Sequence, residues 1–341
     1  MINVGVIGYG YWGPNLVRNF MSNVNTNVSV VCDRDSSRLE KVKSLYPTIE
    51  VCINYKELIN NQKIDAVIIA TPVATHFELA MMALQSNKHV FIEKPITANS
   101  SDALKLIEEA NKRKLVLLVD HTFVYTGAVK KMREVINSPS FGVTQYYDST
   151  RINLGLIQSD VNVLWDLAVH DLSIMAYVLN ASPISVSATG YSHLSGRPEN
   201  IAFMTLFFSS SLVAHINVSW LSPVKIRQTL IGGTKQMIVY NDLEATEKIK
   251  VYDKGITVTK TADDIQKLLI SYRTGDLWCP KVDESEALQV EVDHFVDCIN
   301  SAAEPLTSGK NAFEIVRILE AANISIKEHG RPVDIENLKI D

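Results

Sequence analysis

Three residues of this chain have types and spacings suited to moving a proton on and off an oxygen. Lys94 stands in Glu93-Lys94-Pro95, directly after the apolar run His89–Glu93. A lysine there can hydrogen-bond a substrate oxygen and stabilise negative charge that builds on it. Taken alone, it reads equally as an ordinary surface lysine. Asp166 and His170 lie in Trp165-Asp166-Leu167-Ala168-Val169-His170-Asp171, four positions apart and so on one face of a helix. Histidine serves as a general base near neutral pH. Asp166 can orient it, bind substrate, or stabilise a helix N-terminus. The plainer alternative is a capping aspartate beside a buried structural histidine.

The first forty residues suggest a cofactor beside them. Gly8-Tyr9-Gly10-Tyr11-Trp12-Gly13 joins a strand-like run, Ile2–Ile7, to a helix-like run from Gly13. The first glycine permits the tight turn, the second lets backbone approach a pyrophosphate, and the third allows close helix–sheet packing. The helix N-terminus offers N–H groups and a positive dipole end to the phosphates, and Pro14 suits its first turn. Asp33 follows Gly13 by twenty residues at the end of the second strand, where a carboxylate accepts from ribose hydroxyls and repels a 2′-phosphate. The expected cofactor is therefore NAD rather than NADP. Arg34 leaves an alternative open: it can stack on adenine, receive a 2′-phosphate, or be solvated.

The elements that must hold these residues follow from the periodicity. Strands at residues 2–7, 28–33, 65–71, 89–93 and 115–119 alternate with helices at 13–22, 36–45, 75–86 and 101–114. That alternation predicts a doubly wound parallel sheet with right-handed crossovers. Past His121 the pattern changes. A helix at 127–137 and another at 166–179 punctuate runs at 143–151, 184–191, 201–208, 212–220, 226–231, 236–240 and 248–252, joined by polar turns. This half predicts an α+β domain on a large, mainly antiparallel sheet. Helices near 285–302 and 311–328 close the chain. The expected class is α/β, with a Rossmann domain over 1–121 and a substrate and assembly domain over 122–341. In Ile201–Phe208 both faces are apolar except at Thr205, so helices of the same chain or a second subunit must cover both.

Composition excludes several classes. Of 341 residues, 46% are hydrophobic and 21% charged, enough for substantial cores and against disorder. The net charge of −5 argues against a dedicated nucleic-acid or anionic-membrane surface. The four cysteines show neither zinc spacing nor a disulfide framework, and the eight histidines form no metal motif. No apolar run approaches a membrane span, and the chain enters a strand at Ile2 without a signal-peptide layout. A cytoplasmic protein without a metal is expected.

Four segments together resemble the glucose-fructose oxidoreductase / inositol dehydrogenase / MocA (Gfo/Idh/MocA) family of NAD(P)-dependent oxidoreductases. They are Gly8 to Gly13; Ala70-Thr71-Pro72-x-x-x-His76; Lys88 to Pro95; and Asp166-x-x-x-His170-Asp171. The resemblance implies Lys94 as the catalytic lysine, His170 as the acid/base histidine and Asp166 as its companion. It implies Thr71, Pro72, His76, Glu93 and Lys94 as residues lining the cofactor cleft. Tyr11, Trp12 and Arg34 count with the cofactor contacts beside Gly8, Gly10, Gly13 and Asp33. The chain departs from the family pattern at Val73, where many members have asparagine, and after the last Rossmann strand, where His121-Thr122-Phe123 replaces an arginine-bearing segment.

Gly-Tyr-Trp-Gly-Pro-Asn-Leu, Arg151 to Gly155 and Ser219 to Lys225 resemble the family's surface-polysaccharide and nucleotide-sugar branch. That branch implies oxidation at C3 of a UDP-N-acetylhexosamine or its uronate. The alternatives are a 3-keto-sugar reductase or a polyol dehydrogenase and, in another class, a non-catalytic NAD-binding sensor. Arg151, Lys225 and Arg227 can meet a substrate diphosphate or be solvated strand-end charges; Asn153 can meet sugar hydroxyls. The expected partners are a small sugar or nucleotide sugar and further copies of the chain, as a homodimer or homotetramer.

Overall fold

A computed structural model describes residues 1–155, 161–253, 255–258, 270–273 and 275–338. In chain order the first elements are β1 (Ile2–Ile7), α1 (Gly13–Ser22), β2 (Thr26–Cys32), α2 (Ser36–Leu45), β3 (Glu50–Cys52), α3 (Tyr55–Asn60), β4 (Ala66–Ile69), α4 (His76–Gln85), β5 (His89–Glu93), α5 (Ser100–Arg113) and β6 (Leu117–Asp120). Next come α6 (Gly127–Ile136), β7 (Thr144–Leu154), a π-helical turn at Leu164–Ala168, α7 (Val169–Leu179), β8 (Ser185–Tyr191), β9 (Ile201–Phe207), β10 (Val213–Ser219) and β11 (Leu221–Gly233). The remainder is β12 (Met237–Asn241), β13 (Ile249–Tyr252), β14 (Gly255–Val258), β15 (Ile270–Arg273), β16 (Leu277–Trp278), α8 (Ala287–Ser301), α9 (Gly309–Lys327) and β17 (Val333–Asp334).

The chain divides into two compact units. The first holds residues 1–125 and 285–320, the second 126–284 and 321–338. The division expected at 121/122 thus moves a few residues, and α8 with the start of α9 returns to the first unit. The cause is apolar packing. Val292, Phe295 and Val296 of α8 are buried in the same core as Phe20 of α1 and Phe91 of β5. The three phenyl rings meet edge to face, with centroids 5.5–6.2 Å apart, an arrangement that adds about 0.5–1.5 kcal/mol per pair beyond area burial.

In the first unit the sheet order is β3-β2-β1-β4-β5-β6, with every pairing parallel. This is the expected doubly wound sheet. The short edge strand β3 and the helix α3 are additions: three and six residues give too little periodicity to read. All carboxyl ends point one way, so the loops after β1, β2, β4, β5 and β6 share one edge, the edge where ligands bind in such sheets.

In the second unit the order is β16-β13-β12-β11-β7-β10-β9-β8-β17. The pairing β7–β10 is parallel and the others are antiparallel. β14 and β15 pair antiparallel as a separate two-stranded sheet. β9 alternates strictly: Ala202, Met204 and Leu206 are buried, while Phe203 and Phe207 are 41% and 38% exposed. Its second apolar face is therefore left open by the single chain. Among the described residues no helix is long and apolar enough to cross a membrane.

Candidate active site

The glycine loop has the geometry that a pyrophosphate requires. Gly8 has φ +99°, and a Cβ there would sit 2.4 Å from the Ala70 carbonyl oxygen. A Cβ on Gly13 would lie 2.5 Å from the Gly8 oxygen, so only glycine allows α1 to start so close to β1. At Gly10 the space is open except for the Arg38 guanidinium at 3.6 Å, which leaves room above the backbone. α1 has no side-chain cap, and Pro14 fills its first turn. Tyr11 and Trp12 stand on the loop's outer side, 81% and 43% exposed, with rings edge to face at 5.5 Å.

Asp33 is fixed by the loop itself. Its Oδ2 accepts from the Tyr9 N–H at 2.7 Å and its Oδ1 from the Asp35 N–H at 2.9 Å. Arg38, in the first turn of α2, brings Nη1 to 3.3 Å from the same carboxylate. Arg34, the neighbour weighed from sequence, is exposed. Arg38 was not singled out from sequence because its helical offset, not its nearness in sequence, places it beside Asp33. A ribose diol fits a carboxylate held in this way, and the glycine cradle beside it fits a pyrophosphate.

Thr71 and Pro72 follow β4 on the same edge, Thr71 half-buried and Pro72 exposed. The Thr75 hydroxyl lies 2.7 Å from that of Thr71. His76, expected at the cofactor cleft, is 1% exposed. Its Nδ1 lies 2.8 Å from the Pro95 oxygen and its Nε2 2.8 Å from the Thr71 oxygen. Burial, the dominant influence, pushes its basicity down. The ring braces the loop after β4 against the Lys94–Pro95 segment, so it sets the position of its neighbours from within. Lys94 itself is half-buried at the end of β5.

Glu93, also expected at the cleft, points inward to a cluster of carboxyl groups. Glu93 and Asp120 are register partners across β5 and β6, and Glu291 of α8 lies within hydrogen-bonding reach of Asp120. Their exposures are 7%, 3% and 0%. Burial and then the Asp120 charge hold Glu93 and Glu291 well above the usual carboxylate range. Asp120 is also raised by burial, but the Thr122 hydroxyl and N–H donate to its Oδ1 and oppose the shift. All three carboxyl groups are thus shifted toward the neutral form, Glu93 and Glu291 well above their ordinary range. Beside them His121 is driven down to about 3 by burial and the Lys94 charge, so its ring is neutral. Asp120 and Glu291 carried no motif. Glu291 did leave a signal, since it interrupts the apolar stripe Leu288-Val292-Phe295 at helical spacing.

In the second unit the Asp166–His170 segment differs from the continuous helix expected. Its first turn is π-helical, Leu164–Ala168, and the regular helix starts at Val169. Asp166 lies in the π-helical turn and His170 in the regular helix that follows. The Asp166 Oδ2 accepts from the indole N–H of Trp220 at 3.0 Å. Asn162, not Asp166, caps this segment: its Oδ1 accepts from the N–H groups of Leu164 and Trp165. His170 is half-buried at the start of α7.

The basic residues of this unit divide. Arg151 is 3% exposed, and its Nε donates to Asp171 Oδ2 at 2.6 Å. Asp171 also accepts from the Ser149 hydroxyl at 2.7 Å. The reading of Arg151 as a diphosphate ligand is corrected accordingly. It lies mid-strand on the covered face of β7, and its guanidinium is committed to Asp171. Arg227 donates to Asp242 at 3.1 Å, Lys225 is exposed and Asn153 is half-buried.

Comparison with known proteins agrees with this geometry. Residues 2–121 match the Gfo/Idh/MocA family described as "Oxidoreductase family, NAD-binding Rossmann fold", and residues 158–335 match its "C-terminal alpha/beta domain". The chain belongs to the Gfo/Idh/MocA oxidoreductase family. It is an NAD-binding oxidoreductase whose relatives include sugar and polyol dehydrogenases. A UDP-N-acetylglucosamine 3-dehydrogenase of Acidithiobacillus ferrooxidans is 28% identical over 225 residues, covering 64% of this chain and 67% of the relative. A myo-inositol 2-dehydrogenase of Thermotoga maritima is 23% identical, covering 99% of both chains. A solved structure of the Acidithiobacillus enzyme superposes with TM-score 0.79 at 23% identity, covering 96% of this chain and 98% of that one.

Proposed function

We propose that this member of the family oxidises a secondary hydroxyl of a sugar, at C3 of a UDP-N-acetylhexosamine or its uronate, as part of surface-polysaccharide assembly in the cytoplasm. The observation that carries the chemistry is the position of Lys94. It follows β5 on the same sheet edge as the glycine loop and Asp33. The choice of sugar draws on the 28% identity to a UDP-N-acetylglucosamine 3-dehydrogenase.

In this reading His170 takes the hydroxyl proton. Lys94 donates a hydrogen bond to the same oxygen and stabilises its growing negative charge. Asp166, held by Trp220, orients the sugar or the imidazole. NAD, when bound beside the glycine loop and Asp33, would supply the hydride acceptor. In the reverse direction His170 returns one proton to the oxygen of the reduced ketone while Lys94 keeps its hydrogen bond to that oxygen. Asn153, Lys225 and Arg227 remain the proposed contacts to sugar and diphosphate.

A second reading, oxidation of a free polyol, is favoured by the match to a myo-inositol dehydrogenase over nearly its full length. UDP-sugars, dTDP-sugars and inositols, followed one by one at the NADH absorbance band, separate the two. Turnover only with inositols replaces the first reading with the second. NADH binding with no turnover on any of them points instead to a sensor.

The open face of β9 supports a homo-oligomer in which a second copy covers Phe203 and Phe207. Light scattering behind a sizing column should give a dimer or tetramer, and Phe203→Glu should shift it toward monomer. A wild-type monomer refutes the assembly.

A further inference from the structure

Cys32 and Cys52 are twenty residues apart in sequence but face each other in the first unit. They are register partners at the ends of the parallel strands β2 and β3. Neighbouring strands run about 4.7–4.9 Å apart, inside the Cα separation of about 4.4–6.8 Å that a disulfide spans. Cys32 is 2% exposed, whereas Cys52 is part-exposed. It lines an open depression of about 650 Å³ with Leu39, Lys43, Ile53 and Glu57. β3 is a three-residue edge strand bonded to one neighbour, so it can move without breaking a second ladder.

Both cysteines also support the cofactor loop through their backbones. The Cys32 carbonyl accepts from the Gly8 N–H at 2.8 Å, and the Cys52 carbonyl accepts from the Asp33 N–H at 3.3 Å. Gly8 opens the phosphate loop and Asp33 is the candidate ribose ligand. A change in the separation of these two strand ends therefore reaches both. We propose that Cys32 and Cys52 form a reversible disulfide that weakens NAD binding by displacing Gly8 and Asp33.

The thiols are unequal in a way that suits this chemistry. Interaction with Cys52, and then burial, pushes the Cys32 thiol up. The hydrogen bond from Cys32 draws the Cys52 thiol down, against burial and the charges of Glu57 and Glu50. Cys52 is thus the reachable, more acidic thiol that reacts first, and Cys32 is the resolving one. With a peroxide as oxidant, the Cys52 thiolate attacks one peroxide oxygen, the O–O bond breaks and hydroxide leaves. Cys52 becomes a sulfenic acid. The Cys32 sulfur then attacks the Cys52 sulfur, its proton leaves with the displaced hydroxyl as water, and the S–S bond forms. Overall two thiols lose two electrons and two protons, and hydrogen peroxide becomes two waters. A dithiol reductant reverses the change.

The test uses the full-length protein treated with hydrogen peroxide, then non-reducing peptide mass mapping and NADH titration by fluorescence. The expected result is a Cys32–Cys52 linked peptide, two hydrogens lighter than its reduced parts. NADH affinity should fall about tenfold, the worth of roughly one hydrogen bond, and dithiothreitol should restore it. Cys52→Ser, at the part-exposed position, should bind NADH like the reduced wild type and ignore peroxide. Cys32→Ser should stop at a sulfenic acid on Cys52 that dimedone captures. The proposal fails if the linked protein binds NADH unchanged, if peroxide joins other cysteines instead, or if Cys52→Ser loses affinity to the same degree.

Discussion

In the six-stranded sheet, β4, β5 and β6 confine their polar residues to their ends; in the nine-stranded sheet, β7 carries Ser149 and Arg151 in its middle. The difference follows from how each sheet is built. Strands of a doubly wound sheet have helices on both faces, so a polar side chain in mid-strand would lose its water with no partner. Chemistry is pushed to the carboxyl edge, where Asp33 and Lys94 stand. A mixed sheet with one open face can bury a charge in mid-strand if α7 supplies the counter-charge, as Asp171 does for Arg151. At that edge Asp33 is held by the backbone N–H groups of Tyr9 and Asp35, whereas Glu93 and Asp120 turn inward and are buried. Mid-strand residues are held by one another and serve the fold.

Five substitutions test that contrast, taken from the largest effect down. Lys94→Ala and His170→Ala should each cut turnover about a hundred- to ten-thousandfold, with NADH affinity by fluorescence unchanged. Full activity in either would take that residue out of the proposed mechanism. Asp171→Ala should instead act on stability. It leaves the Arg151 guanidinium buried without its counter-ion, at a cost of about 3–5 kcal/mol in denaturant unfolding. Replacing both residues with apolar side chains should recover most of that loss; if it does not, the pair does more than satisfy its own charges.

Asp33→Ser should move the NADP/NAD preference about tenfold toward NADP, or roughly 1.4 kcal/mol, as measured by the two dissociation constants. An unchanged ratio would transfer the discrimination to Arg38 or Arg34.

The smallest effect is one of pH. The folded-state value of Glu291 is raised above its unfolded value of about 4.3, so the native state holds the proton longer. Its contribution is fully present below the unfolded value and is lost as pH rises toward the folded one. Glu291→Gln should remove that slope. Its advantage over the wild type should be on the order of 1 kcal/mol at pH 8 and shrink toward pH 5. A constant difference across this range would show that Glu291 does not titrate in the way its burial implies.

Much of the first unit was legible because its signals are local. A glycine loop between strand and helix, an acid twenty residues on and a lysine after a buried strand each occupy one short segment, and backbone geometry alone sets their direction. The strands β7 to β13 of the second unit were legible for the same reason, through alternation and polar turns, whereas the two- to four-residue strands β14 to β17 were too short to read. His76 and Glu93 were placed at the cofactor edge by motif, yet their side chains turn inward, because packing and not sequence position decides which way a residue at a strand end faces. The π-helical turn that holds Asp166 left no signal, because over so few residues its periodicity cannot be told from that of a regular helix.

The sequence by itself determined the parallel-then-mixed architecture, the dinucleotide loop, Asp33, and the candidacies of Lys94, Asp166 and His170, because periodicity and short motifs act over neighbours in the chain. Only the tertiary structure decided what meets across long separations. It set Cys52 beside Cys32, Glu291 beside Asp120, Asp171 beside Arg151, Trp220 on Asp166, and α8 in the core of the first unit. Those encounters depend on strand register and on which apolar faces bury one another, quantities that belong to the folded chain and leave no fixed spacing in the sequence.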